Sequence, residues 1–388
     1  AQARASEQGW GKAEAFSAFL PHVGLQASHF GNAQFQTLAF GGGYFPEAFP
    51  YSSLGFNAEW TLFEGMAGWA RLRAASLGAQ AGSLEQDWAL IKLRQDVRLK
   101  YYQALAAQRL EDLAEENVRT LEDHQRIVQD LLDNGQATRF DVLRVEVQLS
   151  EARTERLSAQ DKVLLSRRKL SRSMGLDDLG DDRALSGELP VPGAVSPPAG
   201  LALEAKPDVK ALALKAQAAE AAHVAALGSW APRLSLVGGY QWYNNMQMDV
   251  GDLPDYRTAY QVGLAADWDL FSGGASLARE RQAQAQAEQA RQAGRQSLQQ
   301  AQWDRELWAR QLAYSTELYR AKLEDVDKSK ESVRLAQLGE KAGTRTSTEV
   351  LDAELDSFRA AAGAVAAQMD AAEALINLEL ALGQGDRS

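Results

Sequence analysis

Glu349 and Asp352 stand three residues apart in the run Gly343-Thr344-Arg345-Thr346-Ser347-Thr348-Glu349-Val350-Leu351-Asp352-Ala353-Glu354. On a helix that spacing puts both carboxylates on one face, with the guanidinium of Arg345 one turn earlier. A second run, Gly135-Gln136-Ala137-Thr138-Arg139-Phe140-Asp141-Val142-Leu143, follows the same grammar with Asp141 as its acid. Each glycine supplies a left-handed residue at a helix end. Thr138 in one run, or Ser347 and Thr348 in the other, can cap the helix that follows, with an acid in its first turn. Caps and a solvated acidic face account for these residues on their own. If symmetry gathered several copies of Glu349 and Asp352 around a narrow opening, they would make a carboxylate ring. Such a ring favours cations and disfavours anions, and Arg345 or bound cations would offset its repulsion.

Other chemistry is hard to find. The chain has no cysteine, which removes disulfides, thiolate nucleophiles and cysteine-ligated metals. His22, His29, His124 and His223 are isolated and suggest no metal site. No glycine-rich phosphate loop follows a strand. The acid pair Asp181 and Asp182 lies beside a Pro/Gly-rich stretch that offers no pocket. We therefore expect neither enzyme activity nor a cofactor or metal. The formal charge of −11 argues against nucleic acid, which needs a basic surface.

The elements that carry the two runs are duplicated. Phe19-Leu20-Pro21 is echoed by Trp230-Ala231-Pro232 at an offset of 211 residues. Trp60-Thr61-Leu62-Phe63-Glu64-Gly65 is echoed by Trp268-Asp269-Leu270-Phe271-Ser272-Gly273, Gly135 by Gly343 and Met174-Gly175 by Leu382-Gly383, all at 208. A period this long means a duplicated domain, not a solenoid. The first repeat is expected over 1–174, with helices near 1–20, 65–134 and 138–174 and strands near 21–36 and 51–63. The second is expected over 208–388, with helices near 208–229, 274–342 and 346–382 and strands near 232–247 and 258–271. Between them, 175–207 is rich in Pro, Gly and Asp and reads as a linker or small irregular layer. The opening stretch at Ala1 reads as the middle of a helix, so we expect that residues preceded it.

No window holds 18 consecutive apolar residues, so no transmembrane helix is expected. The strands alternate instead. Leu54, Phe56, Ala58, Trp60 and Leu62 face one way, against Ser53, Gly55, Asn57, Glu59 and Thr61. Tyr260, Val262, Leu264, Ala266, Trp268 and Leu270 repeat the pattern. Val23, Leu25 and Ala27, with Leu234, Leu236, Tyr240 and Trp242, give weaker examples. Period two means one apolar and one polar face, as in a barrel strand crossing a bilayer. Trp60, Trp268, Trp242 and Tyr240 would then be membrane-interface aromatics. Four strands cannot close a barrel, and open sheet edges cannot face lipid, so copies of the chain must combine. Two copies would make a filled eight-stranded barrel and three a twelve-stranded one with room for a pore. The hairpin loops at Gly41 to Pro50 and Asn244 to Arg257 carry the turn-forming composition of exposed ends.

Gly65 to Gly135 and Gly273 to Gly343 each run 70 residues without proline, enough for helices of roughly 100 Å. Ala, Gln, Glu, Arg and Leu dominate them. Ala114, Val118, Leu121, Val128 and Leu132 recur near heptad spacing, and Leu143, Ser150, Leu157 and Leu164 continue the theme. Gln125 and Ser150 interrupt it. The pattern reads as coiled-coil-like packing.

Together, the Gly-Thr-Arg-Thr…Glu-Val-Leu-Asp run, the Trp-x-Leu-Phe-x-Gly pair, the twin hairpins and the duplication resemble the TolC-like outer-membrane proteins of tripartite efflux and type I secretion systems. That resemblance implies a mixed fold of membrane β-barrel plus α-helical barrel, closed by trimerisation into twelve strands and a twelve-helix tunnel. It implies a bacterial outer-membrane exit channel with a long periplasmic portion. Its partners would be two further copies of itself, a periplasmic adaptor, an inner-membrane pump and outer-membrane lipid. Asp141, Arg345, Glu349 and Asp352 fall on the family's periplasmic constriction. Gly135, Thr138, Gly343, Thr344 and Thr346 fall on its adaptor-docking tips. Glu349 stands where the family more usually has Asp, and Glu340 where some members have a tyrosine. The alternative function is a soluble periplasmic coiled-coil adaptor or scaffold.

Overall fold

The computed structural model describes residues 2–38, 44–177, 185–193, 202–244 and 256–384. In chain order these form α1 (Gln2–Ser17), β1 (His22–Leu38), β2 (Tyr44–Glu64), α2 (Ala67–Asp133), α3 (Arg139–Ser173), α4 (Pro207–Leu227), β3 (Arg233–Asn244), β4 (Arg257–Asp267), α5 (Ala275–Lys341) and α6 (Ser347–Ala381). Pro207, read from sequence as part of the linker, is the first residue of α4, where a missing N–H costs no helix bond.

The strands make one antiparallel sheet in the order β1-β2-β3-β4. Its register sorts side chains by face. Leu25, Phe56, Tyr240 and Tyr260 are aligned across all four strands, as are Val23, Ala58, Gly238 and Val262. The row between them is Gly24, Asn57, Gly239 and Gln261. The apolar face is bare in the single chain: Tyr260 is 83%, Val262 79% and Leu264 75% exposed.

Three sequence expectations change here. Tyr44 to Pro50, expected as loop, is strand paired with β1. Its aromatic residues favour extended chain. Among the described residues β3 pairs with β2 only from Ser52 onward, so Pro46 and Pro50 sit where that side of β2 has no β3 partner. The hairpin-loop residues 39–43 and 245–255 lie outside the described residues, as do Asp181 and Asp182. A register shift between Thr61 and Phe63 breaks the alternation, so Phe63 takes the position opposite Leu234 and Leu62 is the extra residue of a bulge. Finally, β4 closes at Asp267, so Trp268 to Phe271 lie beyond the strand, whereas Trp60 is inside β2 and pairs with Leu236.

Two compact units divide the chain, one of residues 1–86 with 210–296 and one of 87–209 with 297–388. This division cuts across the duplication, because β2 of the first repeat pairs with β3 of the second. Gly65 ends β2 with φ 61°, and a Cβ there would stand 2.4 Å from that of Ala231. Only glycine allows both the left-handed turn and this close approach.

The second unit is helical. Val118, Leu121 and Val128 of α2 pack on Val142, Val145, Leu149 and Ala152 of α3 and on Leu351 of α6. The α2 stripe matches the heptad reading, but His124 occupies it where Gln125 was expected to interrupt. The α3 stripe does not match, since Leu143 and Leu157 are exposed. The buried α3 residues Val142, Val145, Leu149, Ala152 and Ala159 keep the three-and-four spacing of a heptad, but in a register one residue earlier than Leu143 and Ser150. Residues 185–193 lie on this unit, with Leu189 packed near Leu105, Ala106 and Val365. Gln368 Nε2 donates to the carbonyls of Leu189 at 3.1 Å and Pro190 at 3.3 Å. Arg98 and Glu379 pair at 2.6 Å. No described helix is long and apolar enough to cross a membrane.

Candidate functional site: the helix-turn tips

Two turns, α2–α3 and α5–α6, share one construction. Gly135 and Gly343 have φ of 73° and 71°, the left-handed conformation that frees the chain to leave the helix. Gln136 N–H then donates back to Leu131 O at 2.7 Å, and Thr344 N–H to Gly339 O at 2.8 Å. Thr138 caps α3 in a reciprocal box: Asp141 N–H donates to Thr138 Oγ1 at 3.3 Å and Thr138 N–H to Asp141 Oδ2 at 2.9 Å. Thr346 does the same with Glu349, at 3.3 Å and 2.8 Å. The second cap is therefore Thr346, and not Ser347 or Thr348 as the sequence suggested. The box geometry decides this, because Glu349 is three residues after Thr346.

Asp141 and Glu349 are thus committed to their own helices. Hydrogen bonds from Thr138 hold the Asp141 carboxyl below its usual range, and bonds from Thr346 do so for Glu349. Arg345 Nη1 lies 3.6 Å from Glu349 Oε1, and the Arg345 side chain folds over Gly339, where a Cβ would meet its Cγ at 2.8 Å. Asp352 turns to the other repeat and pairs with Arg144 Nη2 at 3.1 Å. The structure therefore joins Glu349 with Arg345 and Asp352 with Arg144. Both acids are exposed on the α6 surface.

Sequence reasoning missed a polar cluster behind these acids. His124 of α2 is 3% exposed and Glu354 of α6 is 7% exposed. Their residues are 230 positions apart, so only the fold brings them together. The available signal was Glu354 itself, four residues after the apolar Val350 and on the same helical face.

The sheet aromatics also find partners. Trp60 Nε1 donates to Phe19 O at 2.9 Å and Trp268 Nε1 to Trp230 O at 3.1 Å. Trp242 packs edge-on against both Tyr240 and Phe56, with ring centroids 4.8 and 6.1 Å away.

A family profile described as outer membrane efflux protein matches residues 4–176 and 199–384. The chain belongs to the outer membrane efflux protein family. Efflux proteins of this family are outer-membrane channels and not enzymes, which settles the sequence reading in favour of a channel component over a soluble adaptor or scaffold. Solved channels share the fold. The outer-membrane channel OprN superposes with a TM-score of 0.84 at 21% identity, covering 99% of this chain and 86% of that one. VceC from Vibrio cholerae gives 0.84 at 20% identity, covering 99% and 92%. The open-state MtrE channel of Neisseria gonorrhoeae gives 0.82 at 22% identity, covering 98% and 84%. No curated protein sequence matches the chain. This efflux protein works in the outer membrane.

Proposed function

We propose that this efflux protein is one third of a passive exit duct. Three sheets close a twelve-stranded barrel in the outer membrane, and the long helices close a twelve-helix tunnel. The carrying observation is the four-stranded sheet with its bare apolar face. Among the described residues β1 and β4 each pair on one side only. Lipid tolerates an exposed apolar face but not an unpaired strand edge, so neighbouring copies supply the missing pairing. Trp60, Trp242, Trp268 and Tyr240 suit the membrane–water interface, where an apolar ring and a polar tip are both satisfied.

In the helical unit, Asp141, Arg345, Glu349 and Asp352 border a periplasmic constriction. Copies of Glu349 and Asp352 around a symmetry axis form a ring that selects cations. Gly135, Thr138, Gly343, Thr344 and Thr346 form the tips that dock on a periplasmic adaptor, and an inner-membrane pump supplies the energy. Purified protein in a planar lipid bilayer tests this reading. We expect a detergent-solubilised mass of three chains and a cation-selective conductance blocked by multivalent cations. A monomeric mass, or no conductance under conditions that open a control channel, would refute it.

A further inference from the structure

The duct reading makes no use of the buried polar cluster between the two helical hairpins. His124 Nε2 lies 2.9 Å from Ser347 Oγ, and its Nδ1 lies 3.9 Å from Glu354 Oε2. Gln337 Nε2 donates to Glu354 Oε1 at 3.2 Å. Ser347, the first residue of α6, also lies close enough to Glu340, near the end of α5, to lower its carboxyl. Glu354 Oε2 and Glu340 Oε1 are buried without a hydrogen-bond partner. One polar chain thus crosses the seam between α2 and the α5–α6 turn, flanked by Leu121, Val128, Val350 and Leu351.

We propose that His124, Glu354 and Glu340 form a proton-operated latch that ties the start of α6 to α2 while the carboxyls are neutral and releases it as they ionise. Burial pushes Glu354 up to about 7, opposed by the Gln337 bond and reinforced by the charge of Glu340. Burial also raises Glu340, against the opposing effect of Ser347. Burial lowers His124, again against a bond from Ser347. The surrounding charges are few. Arg109 and Glu116 of α2 and Lys330 of α5 line the same groove as Glu354. Lys341 acts on Glu340, and Arg144 of α3 is engaged by Asp352.

The direction follows from proton linkage. The closed latch keeps carboxyl protons that a hydrated, open form releases near ordinary carboxylate values, so rising pH up to about 7 favours opening. The imidazole acts oppositely: the open form takes a proton that the closed form refuses, so falling pH below the usual histidine value favours opening. Two carboxyls outweigh one imidazole, and the latch loosens as pH rises. Glu354→Gln leaves one carboxyl against the imidazole and flattens the response. His124→Gln removes the opposing group and steepens it.

Only the consequence for conductance rests on the duct reading; the structural effect does not. Hydrogen exchange of the full chain in detergent, corrected for base-catalysed intrinsic rates, reads the latch directly. Between pH 5.5 and 8, protection of the amides of Ser347 to Ala353 is expected to fall by about tenfold. It should fall less than about twofold in Glu354→Gln and by more than the parent in His124→Gln. Unchanged parental protection overturns the proposal, as does a His124→Gln slope no steeper than the parent's. If Glu354→Gln fails to fold, the His124→Gln slope decides alone. A normal exchange response with pH-independent conductance upholds the latch and refutes a constriction at this tip.

Discussion

The indole N–H of Trp60 donates to the carbonyl of Phe19 at 2.9 Å, and Trp268 repeats the bond to Trp230 at 3.1 Å. The tryptophans are 208 residues apart and their acceptors 211. Both acceptors precede a proline by two residues, at Pro21 and Pro232. The same staple therefore survives in both repeats, although the strand hairpins between staple and acceptor differ in length. It fixes the segment leaving each leading helix against the strand region that ends in the next helix.

Replacing Trp60 by Phe keeps a ring but removes the donor. We expect a loss of about 1 kcal/mol, and a similar loss for Trp268→Phe. Urea or thermal unfolding of the detergent-solubilised protein measures both. Parent-like stability in each variant would show that the staple carries no weight.

The sheet register makes a sharper prediction about lipid. Val262 is on the bare face with Val23, whereas Gln261 is on the opposite face with Gly24 and Asn57. Val262→Arg should cost about 2–4 kcal/mol near the bilayer midplane, while Gln261→Arg, facing a wet lumen, should be nearly neutral. Folding into liposomes under a urea gradient compares the two. Equal costs would mean that the faces are not divided between lipid and water.

Much of this fold was legible because its signals are periodic and repeated. Glycine at 135 and 343, the Trp-x-Leu-Phe-x-Gly pair and period-two strands each mark a local conformational need. What stayed hidden depends on contacts between distant segments. The bulge at Leu62 is invisible until β3 fixes the register. The α3 stripe was read one residue out, because Leu143 and Val142 are equally apolar and only packing on α2 chooses between them. Arg144 with Asp352, and His124 with Glu354, are pairs that no local spacing announces. The family resemblance supplied Asp141, Arg345, Glu349 and Asp352 as expected constriction residues, but not the Arg144 contact that engages Asp352.

The caps can be tested through their acids. Thr346→Ala and Thr138→Ala should each cost about 1 kcal/mol near neutral pH. Glu349 and Asp141 are held below the usual carboxylate range by these threonines. A depressed carboxyl stabilises the fold above its unfolded value, and that contribution disappears as pH falls through the folded value. The gap between parent and threonine variant should therefore narrow on acidification below about pH 4.5. A gap that stays constant into acid would assign the cost to something other than the carboxylate box.

Arg144 and Asp352 occupy equivalent positions in the two repeats, 208 residues apart, and bond at 3.1 Å. Their side chains are 39% and 60% exposed, so the pair contributes less than about 1 kcal/mol to stability. Its effect is on charge. With Arg144 neutralising Asp352, the proposed carboxylate ring is weaker than its composition implies. Arg144→Gln should free that carboxylate, raising cation selectivity and sensitivity to multivalent block. Asp352→Asn should lower both, and Arg144→Gln with Asp352→Asn should return near the parent, because the local net charge is restored. Reversal potentials in asymmetric salt read all three, with thermal unfolding as a control expected to move little. If Arg144→Gln leaves selectivity unchanged while Glu349→Gln with Asp352→Asn reduces it, the ring acts through Glu349 alone. If none of these variants alters selectivity, the constriction lies elsewhere along the duct.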